Sequence, residues 1–336
     1  MSASRASRRL IKRLLDQESV NPYLFVVGVP RSGTTLLQRM LDAHPQVSVI
    51  NEAYWLGRDF RQRPGVIRDG LATKKLVRKL LAIPKFRQMR VTEAELLTIL
   101  KKTKPVRYER FASVIVDLYA KRCGKPLIGD KTPGYVDRMP YLHEMWPRAR
   151  FVHIIRDPRD VCLSMLDWDR GARNAGRYGT WEMDPIVSSA LAWRRGVSLG
   201  RKAGAALGPD LYHELRYEDL VTAPADQLRT ICGFLGLPYD EAMLNYHRGR
   251  TGKPWRSSKA QWLRPTPGLR DWESEMAQAD VERVEAAVAD LLVGLGYASR
   301  RERCSAQAVE RAAAVCEVFT TQLRANGEEV PNDWPC

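Results

Sequence analysis

Apolar positions along the chain fall into two alternating kinds of run. Short blocks dense in aromatic and β-branched residues occur at 22–29 (PYLFVVGV), 47–50 (VSVI), 126–133 (PLIGDKTP), 150–157 (RFVHIIRD) and 210–217 (DLYHELRY). Their length and composition read as buried strands. Between them lie longer stretches with apolar residues three or four apart, the spacing of one helical face. After the first strand, Leu36, Leu37, Met40 and Leu41 share such a face, which Pro45 ends. TEAELLTILKK opens on a Thr-x-x-Glu capping pattern at Thr92, and RFASVIVDLYAKRC stops at Gly124. Further helices are predicted at DVCLSML, SSALAWRRGVSLGRKAG, PADQLRTICGFL, VERVEAAVADLLVG and AQAVERAAAVCEVFTTQL. Strands alternating with helices predict an α/β protein whose parallel sheet carries helices on both faces. No internal repeat and no low-complexity linker divides it. The expectation is one domain over 1–336, with a basic arm at 1–20, a basic helical insert at 58–110 and a helical C-terminal extension at 300–336.

The chain has 336 residues, 44% hydrophobic, enough for a large core without disulfide staples. Six cysteines lack CxxC spacing, which predicts ordinary thiols in a reducing compartment. No apolar run approaches the ~20 residues of a membrane span, and the basic start has no long apolar core or small-residue cleavage site. A cytoplasmic protein is expected. Net charge is the abnormal quantity, at +15. Residues 1–20 carry five basic and two acidic side chains, and residues 58–110 carry sixteen and five, so these two segments hold +14 of it. The patterns RRLIKRLL and KKLVRKLL suit helices lying on an anionic membrane, an insert lining a pocket for an anionic acceptor, or ordinary solvated helix faces. Few aromatics interleave the basic insert, which argues against a nucleic-acid partner.

The segment GVPRSGTT, Gly28 to Thr35, has the Gly-x4-Gly spacing of a phosphate-binding loop between a strand and a helix. Thr34 stands where a nucleoside triphosphatase needs lysine, and the cation lies inside the loop at Arg31. With no acidic residue after a hydrophobic strand in the manner of a Walker B motif, a P-loop kinase or NTPase is the weaker enzyme reading. A non-enzymatic basic membrane- or nucleic-acid-binding module is the alternative of another class. A second anion site is predicted where Arg156 ends a buried strand and Ser164 follows eight residues later on the next helix.

PRSGTTL after a strand, with RDPRDVCLSM downstream, resembles the two binding segments of sulfotransferases that use 3′-phosphoadenosine-5′-phosphosulfate (PAPS). The variant is similar to the bacterial and Golgi-type branches, including tyrosylprotein sulfotransferases, over roughly residues 22–57 and 125–300. The resemblance implies a P-loop NTPase-like fold. It also implies that Arg31 and the segment Ser32, Gly33, Thr34, Thr35 hold the 5′-phosphosulfate, and that Arg156 and Ser164 hold the 3′-phosphate. LRYEDLV places Tyr217 at the adenine, and GDKTP places Lys131 near the sulfuryl group. Where tyrosylprotein enzymes put lysine before a late tryptophan, this chain has Asp271. The closing charge then falls to Arg270, Lys259 or Arg256, with Ser257 or Ser258 as phosphate donors.

Sulfuryl transfer, treated like phosphoryl transfer, asks for in-line positioning and charge stabilisation. Arg31, Lys131, Thr34 and Thr35 fit that need, and no metal is expected. The resemblance to the tyrosylprotein branch implies Glu52, just after the second strand, as the base, with a histidine, as in the cytosolic branch, the alternative. A raised pKa or a tight hydrogen bond beside Tyr54 and Trp55 is expected of Glu52. Of the histidines, His153 is read as core and His44 as a turn residue. The predicted activity is sulfuryl transfer from PAPS to a hydroxyl, less readily an amine, of a glycan, glycolipid or other small molecule. Adenosine 3′,5′-bisphosphate is the second product.

Overall fold

The computed structural model describes residues 4–56, 67–68, 70–101, 105–249, 263–299 and 301–335. The elements run α1 (Arg5–Asp16), β1 (Leu24–Val27), α2 (Thr34–Ala43) and β2 (Val47–Asn51). A short antiparallel pair follows, β3 (Ile67–Arg68) and β4 (Leu71–Ala72). It leads to α3 (Lys74–Leu81), a 3₁₀ turn at Pro84–Met89, α4 (Glu93–Leu100) and α5 (Tyr108–Cys123). Next are β5 (Leu127–Lys131), α6 (Met139–Met145), β6 (Arg150–Ile155), α7 (Pro158–Leu166), α8 (Gly171–Ala175) and α9 (Pro185–Leu207). β7 (Tyr212–Arg216) passes directly into α10 (Tyr217–Thr222) and α11 (Pro224–Leu235), and α12 (Trp272–Glu275), α13 (Gln278–Gly294) and α14 (Ala306–Ala325) come after.

Five strands form a parallel sheet in the order β2-β5-β1-β6-β7. β1 is central, and the chain leaves it first toward β2 and later toward β6, which makes its carboxyl end the topological switch point where ligands of such sheets bind. Register aligns the strand ends: Asn51 stands opposite Lys131, and Val26 opposite both Lys131 and Val152. Alternation along β1 sends Phe25 and Val27 to one face and Leu24 and Val26 to the other. On the first face Phe25 stacks on Phe151, with ring centroids 5.4 Å apart, over helix α5. On the second, Leu37 of α2 and Leu228 of α11 cover the sheet. A third apolar cluster joins α7, α9, α13 and α14 through Val161, Trp193, Val288 and Phe319, so α14 is packed into the body of the protein.

Three expectations change. The segment 58–110 is not wholly helical, because β3 and β4 lie within it. Its helix α3 and the arm's α1, for which a membrane surface, an acceptor pocket or solvent were the open alternatives, both bury apolar residues in the protein: Leu76, Val77 and Leu80 on α3 and Ile11 on α1 lie in the first core cluster. The partner of those amphipathic helices is protein, since α1 packs on α4 and α5. Finally, Cys316 is disulfide-bonded, whereas Cys123, Cys162 and Cys232 are free thiols. Scattered spacing in sequence conceals which cysteines the fold brings together. Among the described residues, no helix is long and apolar enough to cross a membrane.

Candidate active site

The site assembles where β1, β2, β5 and β6 end. Past β1 the chain turns through Gly28–Gly33 into α2, whose N-cap is Gly33 at φ 92°. A Cβ at Gly33 would stand 2.4 Å from the Tyr217 ring, so the glycine is needed both for its backbone and for the close approach of that aromatic. Three non-glycine residues around the site also adopt left-handed backbone: Arg31 at φ 76°, Glu52 at 58° and Tyr54 at 56°. Such conformations cost about 1–3 kcal/mol each and persist where surrounding contacts fix them. Here the Glu52 N–H donates to Lys131 O at 2.8 Å, and the Ala53 N–H donates to Asp130 Oδ2 at 3.0 Å. Asp130 also accepts from Thr132 Oγ1 at 2.6 Å, and burial pushes its carboxyl up to about 7.

Two cavities meet at this point. The first, about 160 Å³, is lined by Gly33, Thr34, Thr35, Arg156, Ser164 and Tyr217, together with Arg31 and Arg270. Arg31 Nε donates to Ser164 Oγ at 2.9 Å, and Arg156 Nη2 donates to Asp160 Oδ2 at 2.8 Å. The Arg156 guanidinium lies 4.3 Å from the Tyr217 ring centre. Burial and the neighbouring Arg270 and Arg156 pull the pKa of Arg31 down, the mark of cations crowded in advance of an anion. The second cavity, about 510 Å³, is lined by Glu52, Tyr54, Lys85 and Lys131, together with Arg170 and Arg173. Arg31, Thr34 and Thr35 belong to both.

Glu52 is enclosed by cations. Lys131 Nζ donates to Glu52 Oε1 at 3.0 Å and to Thr35 Oγ1 at 3.2 Å. Tyr54 OH donates to Oε2 at 2.7 Å, and the Lys85 ammonium pairs with the same oxygen. Burial favours the neutral acid, yet the Lys131 charge and the hydrogen bonds from Lys85, Tyr54 and Lys131 outweigh it and hold the carboxyl at about 2. The expected hydrogen bond is present, but the raised pKa is not. Trp55 supplies no apolar wall to Glu52: it is buried in the core, edge-on to Phe86 with centroids 5.6 Å apart.

Most of the residues singled out from sequence therefore converge. Ser32 is the exception, fully buried beneath the loop with its hydroxyl lacking a partner among the described residues. Arg270 reaches the first cavity but also pairs with Asp167 at 2.6 Å and Glu275 at 3.2 Å. Asp271 caps α12, accepting from Glu273 N–H at 3.2 Å, and thus has a local structural task where tyrosylprotein enzymes carry lysine. Arg256, Ser257, Ser258 and Lys259 lie outside the described residues. His153 is core, held down to about 3 by burial, and His44 Nε2 contacts Pro238 O at 2.9 Å in its turn.

Other residues went unread. Arg39 lines the first cavity one helical turn beyond Thr35, a spacing that was available as a signal. Tyr246 and Arg264 reach the same cavity, and Lys85, Arg170 and Arg173 reach the second, by tertiary packing that leaves no local pattern.

A profile of the Sulfotransferase family matches residues 22–241. The chain belongs to that family. Protein-tyrosine sulfotransferase 1 of Danio rerio is 28% identical to this sulfotransferase over 287 residues, covering 82% of this chain and 72% of that protein. The protein-tyrosine sulfotransferase of Drosophila melanogaster is 27% identical, over 82% of this chain and 52% of its own. In fold, the sulfotransferase domain from the curacin biosynthetic pathway matches with a TM-score of 0.51 at 19% identity, over 94% of this chain and 100% of that one.

The enzyme is a PAPS-dependent sulfotransferase, and the first cavity fits that co-substrate chemically. Five arginines (Arg31, Arg39, Arg156, Arg264 and Arg270) line it, with no carboxylate among the described lining residues. Arg156 Nε is buried with no hydrogen-bond partner among the described residues, a donor left for a ligand. The N-terminus of α2 adds its backbone N–H groups to the same wall. Among the described residues, no group of three or more His, Cys, Asp or Glu side chains stands at metal-ligand spacing.

Proposed function

We propose that this sulfotransferase sulfates the phenolic hydroxyl of tyrosine in a polypeptide, with Glu52 as general base. The observation carrying the reading is that Glu52 lies in the larger cavity and shares the wall of Arg31, Thr34 and Thr35 with the nucleotide cavity. The tyrosine acceptor is that of the named relatives, and it takes precedence over the glycan or small-molecule acceptor expected from sequence. Lys85, Arg170 and Arg173 give the acceptor side a cationic wall, which favours a peptide with acidic residues near its tyrosine.

Each residue has a task. Bound PAPS supplies the sulfuryl group on an anionic phosphate leaving group. Arg156, Ser164 and Arg39 hold phosphate oxygens in the first cavity, and Tyr217 offers the adenine a ring. Arg31 and Thr35 stand on the shared wall, with Lys131 beside Thr35 in the larger cavity; charge shifts there toward the departing oxygen, and preorganised donors lower the barrier. Glu52 takes the acceptor's proton as the new O–S bond forms.

The test is transfer of labelled sulfate from PAPS to an acidic peptide containing a single tyrosine. Label on the tyrosine peptide and none on its phenylalanine counterpart is the expected result. Label on neither, with label on a sugar or simple phenol in the same assay, overturns the tyrosine acceptor.

A further inference from the structure

The basic insert reaches the reacting centre. Its turn at Pro84–Met89 is fastened to the end of β2 by Gln88, whose side-chain amide accepts from Asn51 N–H at 3.0 Å and donates to Asn51 O at 3.2 Å. Fixed in this way, the turn delivers Lys85 to Glu52 Oε2, with the ammonium 4.8 Å from the Tyr54 ring centre. The Lys85 side chain is only 8% exposed, so the pair is not a solvated surface contact. An ionised carboxylate offers about four lone-pair sites. Lys131 takes one on Oε1, and Tyr54 and Lys85 crowd Oε2.

The charged and titratable groups facing Glu52 come from several elements. Lys131 and Asp130 are on β5, Lys85 is on the insert's turn, and Tyr54 is on its own segment. Arg31, Arg170 and Arg173 line the same cavity. Lys131 is tied to Thr35 on the nucleotide side, at 3.2 Å. Lys85 lines the acceptor cavity and not the nucleotide cavity, so an incoming acceptor can draw it off without disturbing the anion site.

We propose that Lys85 is a positioning residue that restrains the base: it keeps Glu52 ion-paired until the acceptor enters and draws the ammonium away, freeing Oε2 for the acceptor's proton. The inference rests on Glu52 being the base. A cation in contact stabilises a carboxylate against protonation and so weakens it as a base, and removing the cation strengthens it. In the released state the acceptor O–H bond breaks toward Oε2, the acceptor O–S bond forms, and the S–O bond to phosphate breaks. Water in place of the acceptor gives sulfate and adenosine 3′,5′-bisphosphate by the same balance.

The test compares wild type, Lys85→Met, Lys85→Gln and Lys85→Arg. Calorimetric binding of adenosine 3′,5′-bisphosphate identifies the folded variants, and carboxyl ¹³C NMR, assigned by Glu52→Gln, follows the Glu52 titration. In the Met and Gln variants the Glu52 pKa is expected to move up toward the ordinary carboxylate range, whereas Arg keeps it low. Acceptor-free release of sulfate from PAPS at pH 7 is expected to rise at least about threefold in the same two variants, as for a base roughly one pKa unit stronger at half-developed proton transfer. An unmoved Glu52 titration in a variant that binds the nucleotide normally overturns the restraint alone. Sulfate release equally raised in the Glu52→Gln, Lys85→Met double variant overturns the base assignment and the restraint with it.

Discussion

The ammonium group of Lys131 stands 3.0 Å from the carboxylate of Glu52. It does so because β2 and β5 are neighbouring parallel strands in a register that sets Asn51 against Lys131. Both residues leave the sheet at the same level, and the left-handed turn at Glu52 swings its side chain back over β5. The Lys131 side chain is 1% exposed, so its charge depends on this partner for stabilisation.

That pairing sets a pH dependence. The carboxyl of Glu52 titrates at about 2 in the folded protein against an ordinary value of 4.5. A depressed folded pKa contributes stability that is fully present above about pH 4.5 and is lost as pH falls toward 2. Glu52→Gln should therefore be less stable than wild type at pH 7, with the gap between their urea midpoints closing on acidification from pH 4.5. At neutral pH the same substitution should slow sulfate transfer by about 10²- to 10⁴-fold while leaving nucleotide affinity nearly unchanged. Full turnover would show that another group takes the proton.

Arg156 should discriminate the 3′-phosphate. Arg156→Ala is expected to weaken binding of adenosine 3′,5′-bisphosphate by roughly 10- to 100-fold, the range for a lost charge-assisted hydrogen bond. Calorimetry with adenosine 5′-phosphate, which lacks the 3′-phosphate, should show little difference between variant and wild type. Equal losses for both nucleotides would move the 3′-phosphate elsewhere in the cavity.

Gly33→Ala tests the loop. Its Cβ would meet the Tyr217 ring at 2.4 Å from a backbone that L-residues rarely adopt. A cost of about 1–3 kcal/mol in unfolding free energy is expected from the backbone alone, together with loss of nucleotide binding. Shortening Tyr217 to alanine in the same chain should relieve the contact but not the backbone cost, so only part of the stability returns.

Ile11 tests the role of the arm. It is 1% exposed and packed in the largest core cluster. Ile11→Ala should cost about 2 kcal/mol or more in urea unfolding, and deletion of residues 1–20 should lower the melting temperature. An unchanged melting temperature on deletion would return the arm to a dispensable role.

The phosphate loop, Arg156 and Ser164 were legible in sequence because each depends on a short local arrangement: a strand, a turn and a helix start, with its polar residues at fixed offsets. Lys131 and Glu52 were legible only through a resemblance, since nothing local says that two strand ends are neighbours. Lys85 carried no signal at all. It is one of sixteen basic residues in its segment, and only the Gln88 clamp on Asn51 brings it to the base. The amphipathic helices left their partner open for a different reason. A helical apolar stripe reports that a face will be covered, without saying whether lipid or protein covers it. For the same cause the lowered pKa of Glu52 was not legible: sequence showed its aromatic neighbours and not the two ammonium groups.

The shared wall of the two cavities has an evolutionary side. Lys85, Arg170 and Arg173 border only the larger cavity, proposed for the acceptor, while Arg39 and Arg264 border only the first, proposed for the nucleotide, so on that assignment each group can drift under its own selection. Arg31, Thr34 and Thr35 have no such liberty, because any change there is felt by both substrates at once. Acceptor preference can therefore diversify among descendants of this chain through the outer walls, with the seam held fixed.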